Sequence, residues 1–437
     1  MKTLNTKYLL DRGLSALLLL VLASFPFAST RAHGQTEKCP GERLIEGIGD
    51  KVPAFGGLFL DESRDTLYVY MVPGEAGDSS TLYQAISDVL GPGRPAVHQL
   101  EVLPGRYTYQ QLSDWSDLLS AHVFAWATNV YIYVDDPNNR LKVGLGDLSL
   151  ASSVEAALPT LGIPADAVLI EQAASDLLGI LRPDEEPAAA SDPLATLRDR
   201  FRPIVGGLQI EIDQEDTRSV TICTQGFNAT RGKDRGFVTA NHCIHDRTSP
   251  KTAVFFQPSV AKDNRVGLGE ISPPPFDMKK NKRCLEGDKC RYSDTMFVKL
   301  DDGAQSSQGL IARPAPGSSD WNGTDTFSIV GKATPMYGLN VTYVGSQSGR
   351  IDGQVTVASF SLRSDDGIRY LCQTVVKWKT EPVHGDSGSP AFSIGNNNEV
   401  NILGIVWGTK GVSPMVNIEV TDELGPSLQV CVEGKKC

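Results

Sequence analysis

Residues 58–71 (LFLDESRDTLYVYM) hold two apolar and aromatic runs around a polar centre, the pattern of a β-hairpin. Residues 130–145 (VYIYVDDPNNRLKVGL) repeat the design, with Pro137, Asn138 and Asn139 at the turn. Asp61 and Asp135 are 74 positions apart, and so are Leu67 and Leu141. Each hairpin is followed by a helical stretch, 81–90 and 152–161, ending near Gly91 and Gly162. A short strand comes next, 97–102 and 167–171. The pattern predicts a small α+β module of two hairpin–helix–strand repeats. Chance similarity of short α+β patterns is the alternative.

Residues 182–202 (RPDEEPAAASDPLATLRDRFR) break the pattern with Pro, Ala and acidic residues. They read as an exposed linker, 182–203, open to proteolytic nicking, with Arg198, Arg200 and Arg202 as candidate sites. From Ile204 onward, short alternating runs recur at 208–212, 219–223, 236–240, 253–256, 295–300, 341–344, 354–360 and 402–407. Gly, Pro, Asn and Asp separate them. This pattern predicts an all-β barrel or sandwich over residues 204–437.

The first 32 residues read as a signal peptide: Lys2, Lys7 and Arg12 precede a Leu-rich stretch that is short for a membrane span and is interrupted by Pro26. An uncleaved anchor is the alternative. The α+β module then occupies 33–181, and the protein is expected to be secreted or extracytoplasmic, without stable membrane association. Eight cysteines in an exported chain point to disulfides, and no C-x-x-C pair suggests a zinc site or other metal. Net charge is −11, which argues against nucleic acid as a partner. The charge is uneven: residues 1–203 carry 16 basic and 26 acidic side chains, and residues 204–437 carry 25 and 26.

Three motifs change the picture. Gly385-Asp386-Ser387-Gly388 places a serine on a tight turn where glycines let adjacent N–H groups converge on an oxyanion. A serine needs a base within hydrogen-bond reach, and the base needs an orienting acid. Phe237-Val238-Thr239-Ala240-Asn241-His242-Cys243 ends an apolar strand in a histidine beside a cysteine. Ser293-Asp294-Thr295-Met296-Phe297-Val298-Lys299-Leu300 begins another strand with an aspartate.

In motif and order the chain resembles the chymotrypsin-like serine endopeptidases, over about residues 204–430. Phe297 and Lys299-Leu300 fit the middle motif loosely. The resemblance implies two six-stranded antiparallel β-barrels with the site between them. It implies His242 as general base and acid, Asp294 as its orienter and Ser387 as nucleophile, with the N–H groups of Gly385 and Ser387 as oxyanion hole. It implies a disulfide between Cys223 and Cys243. Cys284 and Cys290 close a small loop before Asp294 and are the next pair. For Cys39, Cys372, Cys431 and Cys437 two outcomes stay open: Cys39 tethers the N-terminal part to the catalytic part, or two cysteines stay free. By family spacing, Glu381 lies at the base of the substrate pocket, where an acid would favour Arg or Lys substrates. His384 borders the pocket, Val406, Trp407 and Gly408 form its opposite wall, and Met415 fills it.

Ile204-Val205-Gly206-Gly207 looks like the N-terminus that animal-type members free by cleavage, whose amine pairs with the acid before the serine, here Asp386. Pro203 argues against that route. The bacterial branch, resembling streptogrisin and alpha-lytic protease, instead uses an N-terminal pro-region that assists folding and then blocks the site. The module before residue 182 fits that role as an intramolecular partner, held by shape and strand pairing or by a local basic patch such as Lys279-Lys280-Asn281-Lys282-Arg283. The expected activity is hydrolysis of protein or peptide substrates by a zymogen that needs no cofactor. A catalytically inactive binding protein on the same fold is the alternative, as is an esterase using the same triad, although the G-x-S-x-G elbow is absent.

Overall fold

In the computed structural model, which describes residues 38–74, 79–91, 99–173, 195–213, 220–244, 252–270, 283–285, 287–363, 368–420, 428–435 and 437, the two polar hairpin centres become single 3-10 turns. Each ends on a left-handed residue, Asp65 at φ 54° and Asn139 at φ 49°. The signal segment, residues 182–194 of the expected linker and residues 279–282 of the basic run lie outside the described residues.

The first repeat consists of α1 (Pro40–Lys51), β1 (Phe55–Asp61), β2 (Thr66–Met71), α2 (Ser79–Leu90) and β3 (Gln99–Pro104). The second consists of α3 (Tyr109–Val123), β4 (Val130–Asp135), β5 (Arg140–Leu145), α4 (Ala151–Ala157) and β6 (Val168–Gln172). In both, the hairpin is antiparallel and the third strand pairs parallel to the second. A parallel return needs a crossover, which α2 and α4 supply. The helix expected over 152–161 is shorter: α4 stops at Ala157 and Pro159, which has no N–H, opens a separate 3-10 turn. The repeats also carry a leading helix each that the hydrophobic pattern did not disclose. The signal for α3 was present, since Thr108 and Gln111 form a reciprocal capping box.

The remaining chain is mostly β-sheet. Its strands are β7 (Ile204–Gly206), β8 (Gln209–Asp213), β9 (Val220–Thr224), β10 (Phe227–Arg231), β11 (Asp234–Ala240), β12 (Thr252–Phe256), β13 (Arg265–Glu270), β14 (Lys289–Arg291) and β15 (Thr295–Leu300). They continue with β16 (Ser306–Ala312), β17 (Thr326–Lys332), β18 (Asn340–Gly345), β19 (Gly349–Arg363), β20 (Ile368–Trp378), β21 (Pro390–Ile394), β22 (Glu399–Val406), β23 (Gly411–Pro414) and β24 (Leu428–Val430). One sheet runs β24-β10-β11-β15-β13-β12-β8-β9. In the other, the ladders from β18 through β19, β20, β23, β22 and β21 return to β18, so six strands close on themselves. A short helix, α5 (Met415–Val420), follows β23.

The repeats and this closed ring belong to one compact unit, Glu37–Cys437. Strand β4 adds antiparallel to β19, with Tyr133 opposite Phe360 and Tyr131 opposite Leu362. One apolar core runs from Ile48, Leu58 and Leu112 through to Val355, Val376 and Trp378 of the ring. Cys39, before α1, is bonded to Cys372 of β20, and the other pairs are Cys223–Cys243, Cys284–Cys290 and Cys431–Cys437.

Arg283 corrects the expectation of a basic surface patch. Its side chain is 1% exposed and donates to both Glu42 carboxylate oxygens (3.0 and 2.7 Å) and to Asp117 (2.7 Å). A guanidinium can be buried here because two carboxylates neutralise it and accept its protons. In residues 195–203, the described end of the expected linker, Asp199, Arg200 and Pro203 are exposed while their neighbours pack against the β-sheet part. Leu197 is fully buried, Phe201 packs edge-on against Trp321 at 4.7 Å, and the Arg202 guanidinium donates to the carbonyl of Gln257 at 3.1 Å.

Candidate active site

His242 sits in a 3-10 turn, Asn241–Cys243, immediately after β11, and Asp294 immediately precedes β15. These strands pair with Ala240 opposite Thr295, and the Asn241 N–H donates to the Asp294 carbonyl at 3.0 Å. One ladder therefore places side by side two residues that are 52 apart in sequence. The Cys223–Cys243 disulfide pins the histidine turn to β9.

Ser387 arrives from the closed ring, on the loop joining β20 to β21. Its carbonyl accepts from the Thr224 N–H at the end of β9 (2.8 Å). Gly388 makes this approach possible. Its φ is 92°, and a Cβ there would stand 2.1 Å from Thr239 Oγ1 and 2.2 Å from the Thr224 carbonyl.

The three side chains form a chain of hydrogen bonds. His242 Nδ1 lies 2.5 Å from Asp294 Oδ2, and His242 Nε2 lies 2.7 Å from Ser387 Oγ. With the aspartate ionised, Nδ1 carries the proton and donates to it. Nε2 then accepts from the serine hydroxyl. All three residues are buried, at 3% exposure for His242, 1% for Asp294 and 2% for Ser387.

The aspartate is itself held. Its N–H donates to Ser413 Oγ at 2.8 Å, and that hydroxyl donates to Gln373 Oε1 at 2.9 Å. Gln373 Nε2 donates in turn to the carbonyls of Tyr292 and Leu371. Asn417 Nδ2 donates to the carbonyls of Tyr292 and Cys372. Sequence reasoning missed Ser413, Gln373 and Asn417, because nothing local marks a polar residue that becomes a core hydrogen-bonding partner.

Gly385 has φ 93°, and Gln347 Cγ lies 2.6 Å from where its Cβ would be. Among the described residues, the N–H groups of Gly385 and Ser387 make no backbone hydrogen bond. They stay available on the same turn as the serine hydroxyl.

The expected pocket residues lie at different depths. Glu381 is not at a buried base: its side chain is 51% exposed and pairs with Lys410 at 3.5 Å. Val406, Trp407, Gly408 and Met415 are buried, and Trp407 stacks on Tyr370 with ring centroids 5.1 Å apart. That ring face is used in core packing. His384 is half-buried, and its Nδ1 has no hydrogen-bond partner among the described residues. Among the described residues no group of three or more His, Cys, Asp or Glu could hold a metal ion. No described helix is long and apolar enough to cross a membrane.

No protein-family model matches the chain, and no curated protein matches it. Its neighbours among solved structures are bacterial chymotrypsin-like serine proteases. Thermobifida fusca protease A is 16% identical over 52% of this chain and 98% of its own, with a TM-score of 0.34. Nocardiopsis protease is 20% identical over 52% of this chain and 99% of its own, with a TM-score of 0.34. Cellulomonas bogoriensis chymotrypsin is 18% identical over 52% of this chain and 98% of its own, with a TM-score of 0.34.

Proposed function

We propose that this chain is an exported serine endopeptidase, made as a zymogen, that hydrolyses peptide bonds through an acyl-enzyme. The observation that carries the reading is the pair of hydrogen bonds in series at His242, 2.5 Å to Asp294 and 2.7 Å to Ser387. His242 Nε2 takes the Ser387 proton as Oγ attacks the scissile carbonyl. The tetrahedral oxyanion is held by the N–H groups of Gly385 and Ser387. His242 then gives its proton to the leaving amine, and the acyl-enzyme remains. Water repeats the sequence and frees the acid, restoring the serine. Asp294 orients the imidazole and stabilises its charged form.

In this reading residues 204–437 are a two-barrel catalytic domain, and the α+β repeats before them are an intramolecular pro-region that aids folding and blocks the site until the 182–203 segment is cut. A high-contact-order β-domain gives a physical reason for folding help.

The test is labelling of the secreted protein with a fluorophosphonate, beside hydrolysis of an unfolded protein substrate. Wild type is expected to label and hydrolyse, and Ser387→Ala and His242→Ala to lose turnover by roughly a million-fold. Absence of both in processed wild type would overturn the reading in favour of an inactive binding protein. If residues 204–437 alone refold to active enzyme as readily as the full chain, the pro-region part fails.

A further inference from the structure

Asp386 precedes the nucleophile and is fully buried. Its carboxylate accepts four hydrogen bonds: Oδ1 from the N–H groups of Gln347 and Ser348 (both 3.0 Å), and Oδ2 from the Val383 N–H (3.0 Å) and the Ser348 hydroxyl (2.5 Å). Gly345 admits this approach, since a Cβ there would stand 2.2 Å from Oδ1. Burial pushes the Asp386 carboxyl up, and the Ser348 hydroxyl, followed by the N–H groups, offsets only part of this, so it stays raised. Among the described residues the donors that favour the ionised form are thus one hydroxyl and three amides, with no cation among them.

The same loop grips the other side of the turn. Thr224 Oγ1 donates to the Gly385 carbonyl at 2.7 Å and accepts from the Ser346 N–H at 3.0 Å. The Ser346 hydroxyl lies 3.2 Å from that carbonyl. Residues 346–348 therefore hold the Gly385 carbonyl and the Asp386 carboxylate at once. Between and beside these anchors stand the Gly385 and Ser387 N–H groups. Ile204 takes no part in this, because its N–H donates to the Gln305 carbonyl at 2.9 Å.

We propose that Ser348, through its hydroxyl on Asp386, sets the nucleophile turn and aims the two oxyanion-binding amides. The inference rests on the peptidase reading above. Ser348 is a positioning residue: it lies behind the turn and acts through Asp386. Without its hydroxyl the buried carboxylate keeps three amide donors, and the turn can relax around the lost one. The effect falls on the transition state, where the amides matter, and spares ground-state binding.

Ser348→Ala, Ser348→Cys and Ser348→Thr are compared with wild type in the secreted protein. Three readings are taken: kcat, KM, and affinity for a peptide aldehyde whose adduct places an oxyanion at the amides. In Ser348→Ala, kcat is expected to fall about tenfold to a hundredfold. KM stays unchanged, and the aldehyde weakens by the same factor as kcat/KM. Ser348→Thr restores kcat, and Ser348→Cys, a weak donor, lies between. If the alanine variant does not fold, the cysteine variant carries the test, and wild-type kcat in it overturns the proposal. Wild-type kcat in Ser348→Ala, an unchanged aldehyde affinity, or failure of threonine to rescue also overturns it. An inactive wild type would instead sink the peptidase reading.

Discussion

Cys39 and Cys372 are 333 residues apart in sequence and joined by a disulfide. Both cysteines are buried, at 0% and 2% exposure, in a cluster with Tyr292 and Leu371. Cleavage anywhere in 174–203 would therefore leave two pieces that stay together. Intact mass under non-reducing conditions is expected to show the joined species, and reduction to separate it. A Cys39→Ser/Cys372→Ser variant is expected to lose about 2–4 kcal/mol in denaturant unfolding of the full chain. Free release of the N-terminal piece from unreduced wild type would contradict the tether.

Arg283 is locked between Glu42 and Asp117, on elements of the α+β repeats. Arg283→Met leaves two carboxylates buried without their cation, a loss of about 3–5 kcal/mol. Replacing all three, as Glu42→Met/Asp117→Leu/Arg283→Met, is expected to recover most of that loss, because no charge is then left unpaired. Equal unfolding midpoints for the single and triple variants would refute this account.

Gly388→Ala is expected to abolish fluorophosphonate labelling. The Cβ would meet the Thr224 carbonyl at 2.2 Å, a backbone atom that cannot rotate away, at a φ of 92°. Gly74→Ala is the control, since Gly74 has φ 89° but no atom within 4 Å of its Cβ position. It should cost about 1–2 kcal/mol for the backbone alone and leave labelling intact. Normal labelling in Gly388→Ala would show that the turn is not as tightly enclosed.

Asp352 on β19 accepts from Thr342 Oγ1 (2.9 Å) and pairs with Lys379 (3.1 Å). Burial raises its carboxyl, but the Lys379 ammonium and the Thr342 hydroxyl outweigh this and hold it below the usual value of 3.8. A lowered carboxyl stabilises the fold above the unfolded value, and that stability is lost as pH falls through the folded one. Lys379 is 75% exposed, so the contribution is small, about 0.2–1 kcal/mol. Asp352→Asn should differ from wild type by that amount in urea at pH 7, and the gap should close by about pH 2. A constant gap at both would rule the linkage out.

Much of the candidate site could be read along the chain because its chemistry is local. Gly385 and Gly388 announce a turn with positive φ, and His242 and Asp294 each flank an apolar strand, so pairing of β11 with β15 brings them together. The strands that escaped notice lack a local contrast. In β20, Ile368 to Val376 are buried almost without alternation, and β16 opens on Ser306, Ser307 and Gln308. Helix α1 opens on Pro40, a residue suited to the first helical position, but the charged Glu42 and Arg43 that follow and the glycines Gly41, Gly47 and Gly49 blur its apolar face of Ile45 and Ile48.

Side-chain type, turn propensity and hydrophobic period are properties of short segments, so the serine, histidine and aspartate motifs, the change of pattern near Ile204 and the repeat of 74 positions are legible along the chain. The folded chain adds that Cys39 pairs with Cys372, that Arg283 lies inside and not on a basic surface, that Glu381 points to solvent, and that Ser348 and Ser413 stand behind Asp386 and Asp294. Each of these is a contact between distant segments. Whether a charge is buried, or a hydroxyl finds an acceptor, depends on what another part of the chain brings to the same place.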